Sequence, residues 1–334
     1  MKRPDRTRAV AFLSAALLTA HLGCGSNDAG TSGAATSATA AAIPTGAATA
    51  TGAGSPTGAA TAAASGSASA APLPPGLVVG VPYPADRIAK VVNPKSEPPY
   101  TGPTGTLRGV IKITGDAPPE LPVQLPAKPC RAEAAATHGK LFRTGQGGAL
   151  ADALVTVIGH GRYVPPKGEA AKMTISRCSF ARRTLAATYG QRLEVSNLDV
   201  LESYMPFLEG APNRATLVAI PRGDAVRLYP HEPGHYLLKD ALPNPHMTAD
   251  VFVLAYSTHD VTGLDGKYEI TGVPVGEVQV NALLPATNKT VGKRIEIKEG
   301  DNTLDLTLTF DAKKDTKGAP KPDEKDAKPP GPKG

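Results

Sequence analysis

The sequence predicts an all-β protein, a β-sandwich fold with unstructured ends. Three observations carry this expectation. Short segments alternate apolar and polar residues with period two, as half-buried strands do. Gly, Pro, Asn or Asp interrupts them every 8–12 residues, the spacing of a sandwich. Helical periodicity is nearly absent, with residues 132–137 the one short candidate helix.

The elements follow in chain order. Residues 107–113 are a run of β-formers closed by Gly115, Pro118 and Pro119, and residues 151–158 are an apolar run closed by Gly159. Alternation then appears at Leu193 and Val195, Val226 and Leu228, Tyr236 and Leu238, and Val251 and Val253. It returns at Tyr268 and Ile270, Val278 and Val280, Ile295 and Ile297, and Leu304, Leu306 and Leu308.

Composition separates this foldable middle from the ends. The chain has 334 residues, with 35 Gly, 33 Pro, 15 aromatics and no Trp. Every residue of 29–72 except Ile43 is Ala, Gly, Ser, Thr or Pro, and residues 311–334 are mostly Lys, Asp, Pro and Gly. Neither stretch can bury enough apolar surface to offset its ordering entropy. Residues 24–104 therefore read as a disordered tether and 311–334 as a disordered Lys/Pro-rich tail. A flexible chain of the tether's 44 core residues has an r.m.s. span of about 35–40 Å.

The net charge of +6 does not point to nucleic acid. The first eight residues carry +3, Asp28 −1 and the tail +2, which leaves only +2 for the folded part. A nucleic-acid footprint would cluster on the fold. The mixed signs of the tail read as a solvated segment, with contact to peptidoglycan or anionic lipid as the other reading.

The amino terminus reads as an export signal over residues 1–23. Lys2, Arg3, Arg6 and Arg8 precede an apolar run of twelve residues, 9–20, too short to span a bilayer as a helix. Leu22-Gly23-Cys24 then resembles the lipobox of bacterial lipoproteins, with His21 where that family usually has Leu. The resemblance implies lipidation at Cys24, and Gly25 after it implies sorting to the outer membrane, facing periplasm or surface. Ordinary secretion with an incidental Cys24 is the other reading. In an exported chain, Cys130 and Cys178 read as one disulfide; a thiolate metal site is the alternative.

Two further resemblances refine the fold. Thr262, Asp265, Gly266, Tyr268, Ile270, Val273, Pro274, Gly276 and Val278 follow the pattern of carboxypeptidase regulatory-like, transthyretin-like domains. That resemblance implies a Greek-key sandwich in which Asp265-Gly266 closes a hairpin, drawn from residues 105–164 and 256–310. The segment between, 165–255, resembles cupredoxins: residues 175–180 as an early strand, Gly190-Gln191 with Leu193, Val195, Asn197 and Asp199, then Pro233-Gly234-His235-Tyr236, and Met247, Ala249, Val251 and Val253. One sandwich is thus expected to be inserted into another.

The cupredoxin resemblance implies a copper site of one thiolate, two imidazoles and an axial thioether. Its four ligand positions fall on Ser203, Ala241, Asn244 and Met247 (Glu202 with the register shifted by one), and Met247 alone matches. The expectation is a fold whose type-1 copper site is lost, with no cofactor. Copper held atypically by His231, His235 and His246, or by His246, His235 and Glu202, is the alternative. His231-Glu232-Pro233-Gly234-His235 spells a zinc-protease motif, but that chemistry needs a helix, which Pro233 and Gly234 oppose. The Gly-rich residues 145–148 lack the motif of a phosphate loop and read as a connection.

No catalytic residue is expected. The leading function is a non-catalytic envelope lipoprotein with a binding or structural role, anchored by lipid, its partner an envelope protein or glycan. The alternatives are a periplasmic copper or electron-transfer protein, and an envelope hydrolase with its site on the sandwich loops.

Overall fold

The computed structural model describes residues 82–211 and 216–316. Cys24, the leader, residues 24–81 of the expected tether and residues 317–334 lie outside them.

The chain enters through α1 (Ala85–Val92) and continues through β1 (Thr104–Gly115), α2 (Arg131–His138) and β2 (Leu154–Ile158). Eight strands follow: β3 (Ala170–Ser176), β4 (Ser179–Phe180), β5 (Thr184–Thr188), β6 (Arg192–Asn197), β7 (Pro206–Glu209), β8 (Val226–Leu228), β9 (Gly234–Asp240) and β10 (Thr248–Leu254). The last group is β11 (His259–Val261), β12 (Lys267–Pro274), β13 (Gly276–Leu284), β14 (Lys289–Ile297), β15 (Gly300–Thr303), β16 (Leu306–Phe310) and a short α3 (Ala312–Asp315).

Among the described residues these strands form four sheets, and each of two apolar cores lies between a pair of them. The first core takes Leu107, Ile111 and Ile113 of β1, with Tyr268 and Ile270 of β12 and Leu306 and Leu308 of β16, from one sheet. The facing sheet, ordered β11-β2-β13-β14, supplies Val155, Val157, Val278, Val280 and Ala282. The second core packs Met173, Ile175, Leu193, Val195 and Leu228, from the sheet β4-β3-β6-β8, against Leu185, Leu238, Val251 and Val253, from β5-β10-β9-β7. The period-two pattern explains the register: in β10 Ala249, Val251 and Val253 point inward and Asp250 and Phe252 away. Each fully buried aliphatic side chain contributes about 1.5–3 kcal/mol.

The structure corrects four expectations. Residues 85–92 of the expected tether form α1, which lies on the second core through Ile88, Val91 and Val92. Three apolar residues at helical spacing outweigh the composition around them. Residues 312–315 of the expected tail likewise form α3, where Ala312 packs on the first core and Lys289 pairs with Asp315 at 2.7 Å. Residues 175–180 are not one strand but the tight hairpin of β3 and β4 (Ile175↔Phe180, Ser176↔Ser179). Finally, Asp265-Gly266 closes no hairpin: β11 pairs with β2 and β12 with β1, so the turn carries the chain from one sheet to the other. Gly266, at φ +69° with the Ile111 carbonyl against it, has no room for a side chain.

Candidate functional site

The hairpin turn between β3 and β4 consists of Arg177 and Cys178, at φ 52° and 59°. Two successive residues in the left-handed region match a type I′ turn, which ordinarily recruits Asn or Gly. Here other groups hold it. Asp199, two residues past the end of β6, accepts the Arg177 N–H at 2.5 Å and the Cys178 N–H at 2.9 Å. The Tyr204 hydroxyl donates to the same carboxylate at 2.6 Å. Burial, with the Asp199 charge beside it, raises the Tyr204 phenol above its ordinary range. Cys178 is joined to Cys130, immediately before α2, as one disulfide.

The loop after β6 continues outward from Asp199. Val200 and Leu201 are exposed, Leu201 to 83%, and Leu198, Val218 and Ile220 are other exposed apolar residues. A groove of about 500 Å³ runs between this loop and the disulfide, with Pro129, Cys130 and Cys178 on one side and Val200, Leu201 and Glu202 on the other. Apolar walls rimmed by Arg177, Asp199 and Glu202 are the chemistry of a binding groove.

Two of the four ligand positions lie beside this region on neighbouring segments. Ser203 sits just before β7, and Ala241 donates its N–H to the Met205 carbonyl at 2.9 Å. Asp240 ties the two segments together, accepting the Met205 N–H at 2.7 Å and the Asn244 side-chain amide at 2.7 Å. The Met247 side chain is buried in the second core. A hydroxyl, a methyl, an amide already bound to Asp240 and a core thioether do not fit a type-1 copper ion.

The histidines of the alternative site are not brought together. His231 bonds the Tyr236 hydroxyl through Nδ1 at 3.0 Å and faces Glu232 at 3.1 Å. His235 lies on β9, bonded to Asp250 at 2.7 Å and stacked on Phe252 at 4.6 Å. His246 is buried and bonded to the Cys178 carbonyl at 2.8 Å, whereas Glu202 uses its own carbonyl to accept from Asn197 at 2.7 Å. Among the described residues no group of three or more His, Cys, Asp or Glu is placed to hold a metal ion. Residues 231–235 run from a turn into β9, so the zinc-protease motif has no helix to present it.

Sequence reasoning missed a polar seam between the two cores. Arg143 grips Asp152 with two bonds, 2.6 and 2.8 Å, and both side chains are nearly buried, 11% and 6% exposed. Asp152 also accepts the Arg183 N–H at 2.9 Å, and the Arg183 guanidinium donates to the Lys140 and Leu141 carbonyls at 2.6 and 2.9 Å. Burial raises the neighbouring Asp250 above the usual carboxylate range, and the His235 bond opposes it. The available signal was Asp152 itself, a lone carboxylate inside an apolar run.

No protein-family model matches the chain, and no curated protein does. Among solved structures, the copper-containing nitrite reductase from Thermus scotoductus SA-01 is 18% identical over 29% of this chain, at a TM-score of 0.23. The chain spans 25% of that protein. Amicyanin from Paracoccus versutus is 17% identical over 30% of this chain and 96% of its own length, also at a TM-score of 0.23. Likeness at this level adds nothing to the fold described above.

Proposed function

We propose that the chain is an exported, lipid-anchored binding module of the cell envelope, without catalysis or a type-1 copper ion of its own. The groove between the disulfide and the exposed Val200–Leu201 loop carries this reading. A monomer gains nothing in water from leaving Leu201 open, so a partner that covers it accounts for the loop. The basic-then-apolar leader and the lipobox-like Leu22-Gly23-Cys24 support an envelope partner. A degenerate cupredoxin-like sandwich inserted in a transthyretin-like one supplies the rigid frame. The charged groups of the seam are spent on one another and on backbone carbonyls, the pattern of a structural network rather than an acid–base site.

The test is site-specific photocross-linking in intact cells. A photoreactive residue at Leu201 is expected to capture one envelope partner, and the same residue at Lys293 none. Equal labelling at the two sites would refute the reading. Growth with radiolabelled palmitate should label the wild-type chain but not Cys24→Ala. The copper alternative makes the opposite claim about Cu(II): stoichiometric Cu(II) in the reconstituted pure protein, read by electron paramagnetic resonance, would establish it and remove this proposal.

A further inference from the structure

Outside the groove, one pair of side chains lacks an assigned task. His138, the last residue of α2, and His246, just ahead of β10, are 4% and 3% exposed. Their rings meet edge-on, centroids 5.8 Å apart at an interplanar angle of 72°. The His138 Nε2 and the His246 Nδ1 are both buried with no hydrogen-bond partner. Two orphaned imidazole nitrogens in adjoining rings are unusual, because buried polar atoms are nearly always satisfied.

The tautomer of His246 follows from its other bond. A carbonyl can only accept, so Nε2 carries the proton it shares with the Cys178 carbonyl at 2.8 Å. In the neutral ring Nδ1 is then a bare lone pair. Metal-binding histidines are oriented this way, one nitrogen donating to a backbone carbonyl while the other faces the ion. Bonds of about 2.0–2.1 Å from two imidazoles to a shared ion allow ring centroids up to about 6.4 Å apart, and the observed 5.8 Å lies within that span.

We propose that His138 and His246 form a two-imidazole seat for a soft monovalent cation of closed d-shell, the class of Ag(I) and Cu(I). The donor count selects the ion. Zinc requires about four protein ligands or an open water position, whereas closed-shell monovalent ions accept two. Charge selects in the same direction: Arg143 and Arg183 stand near His138, and their carboxylate partner Asp152 is already engaged. The disulfide holds the seat together, since Cys130 starts α2 and the Cys178 carbonyl orients His246. Neither His138 nor His246 is among the residues lining the groove, although His246 directly precedes Met247.

The probe is Ag(I) alone, added to the full oxidised chain with Cys24 alkylated and its histidines labelled with nitrogen-15. At one equivalent, the His138 Nε2 and His246 Nδ1 resonances are expected to move together while those of His160 and His259 stay in place. His138→Gln and His246→Gln should each weaken the tightest Ag(I) binding by at least the roughly 10–100-fold that loss of an orienting partner costs. Ring nitrogens that stay fixed while silver binds elsewhere would overturn the proposal, and so would equal affinity in both variants. A water between the rings would also overturn it, and appears as nitrogen resonances indifferent to silver. The wild-type spectra decide the question even if a variant folds poorly.

Discussion

The carboxylate of Asp199 clamps the backbone of Cys178, accepting its N–H at 2.9 Å and that of Arg177 at 2.5 Å. A residue beyond the end of β6 thus fixes a turn more than twenty positions earlier. Two left-handed residues without glycine cost about 1–2 kcal/mol each, and the clamp offsets that cost. Asp199→Ala should therefore destabilise the protein by about 2–3 kcal/mol, since it leaves two N–H groups and the Tyr204 hydroxyl short of an acceptor. Asp199→Asn should lose less. Urea unfolding of the two variants checks the order.

The disulfide closes a loop with a sequence separation of 48. In the chain-entropy model such a loop contributes about 3–4 kcal/mol. Replacing both cysteines by alanine should lower the unfolding midpoint accordingly. Peptides from residues 129–138 should then exchange amide hydrogen faster, because α2 loses its tie to the second core.

The Arg143–Asp152 pair bridges the cores out of water. Removing the carboxylate alone strands a buried guanidinium, so Asp152→Ala should cost about 3–5 kcal/mol. Replacing Arg143 with Met as well should recover part of that loss. A double-mutant cycle measures the coupling, and additive losses would show that the pair contributes nothing beyond its members.

Acid should weaken the fold through His259. Burial pushes this imidazole down to about 4 in the folded state, from 6.5. The unfolded chain therefore takes up a proton first as pH falls. The stabilisation is complete above about 6.5 and is lost progressively toward 4. The ring is only partly enclosed, so the discounted contribution is about 2 kcal/mol. His259→Gln should flatten the slope of stability against pH between 6.5 and 4, with His138 accounting for much of what remains.

Restoring the donor set tests the register of the ligand positions. Ser203→His, Ala241→Cys and Asn244→His together, with Met247 in place, should create a copper-binding thiolate with an intense visible band. A colourless triple variant that folds normally would place the cupredoxin-like register elsewhere.

The strands were legible because half-buried elements write their burial into the sequence with period two, as at Tyr236 and Leu238. The disulfide followed from reading Cys130 and Cys178 as the pair of a chain expected to be exported. Composition hid α1, because Ile88, Val91 and Val92 sit at the edge of an Ala/Gly-rich stretch and find their partners only in the second core, where Ile88 lies beside Gly190. Asp265-Gly266 was mistaken for a hairpin because a turn motif does not say to which sheet the next strand goes. The seam of Arg143, Asp152 and Arg183 and the contact of His138 with His246 join residues 9 to 108 positions apart. Pairings of that range depend on tertiary packing, which no local pattern encodes.

The parallel pairing of β1 with β16 has a mechanical consequence. Ile111 lies opposite Leu306 and Gly115 opposite Phe310, with both strands running the same way. Tension applied before β1 and after β16 would slide these strands lengthwise and strain their whole ladder of bonds at once. An antiparallel pair pulled from its open end unzips one rung at a time. A molecule hauled from both termini would therefore yield α1 first, peeled from the surface, and then resist.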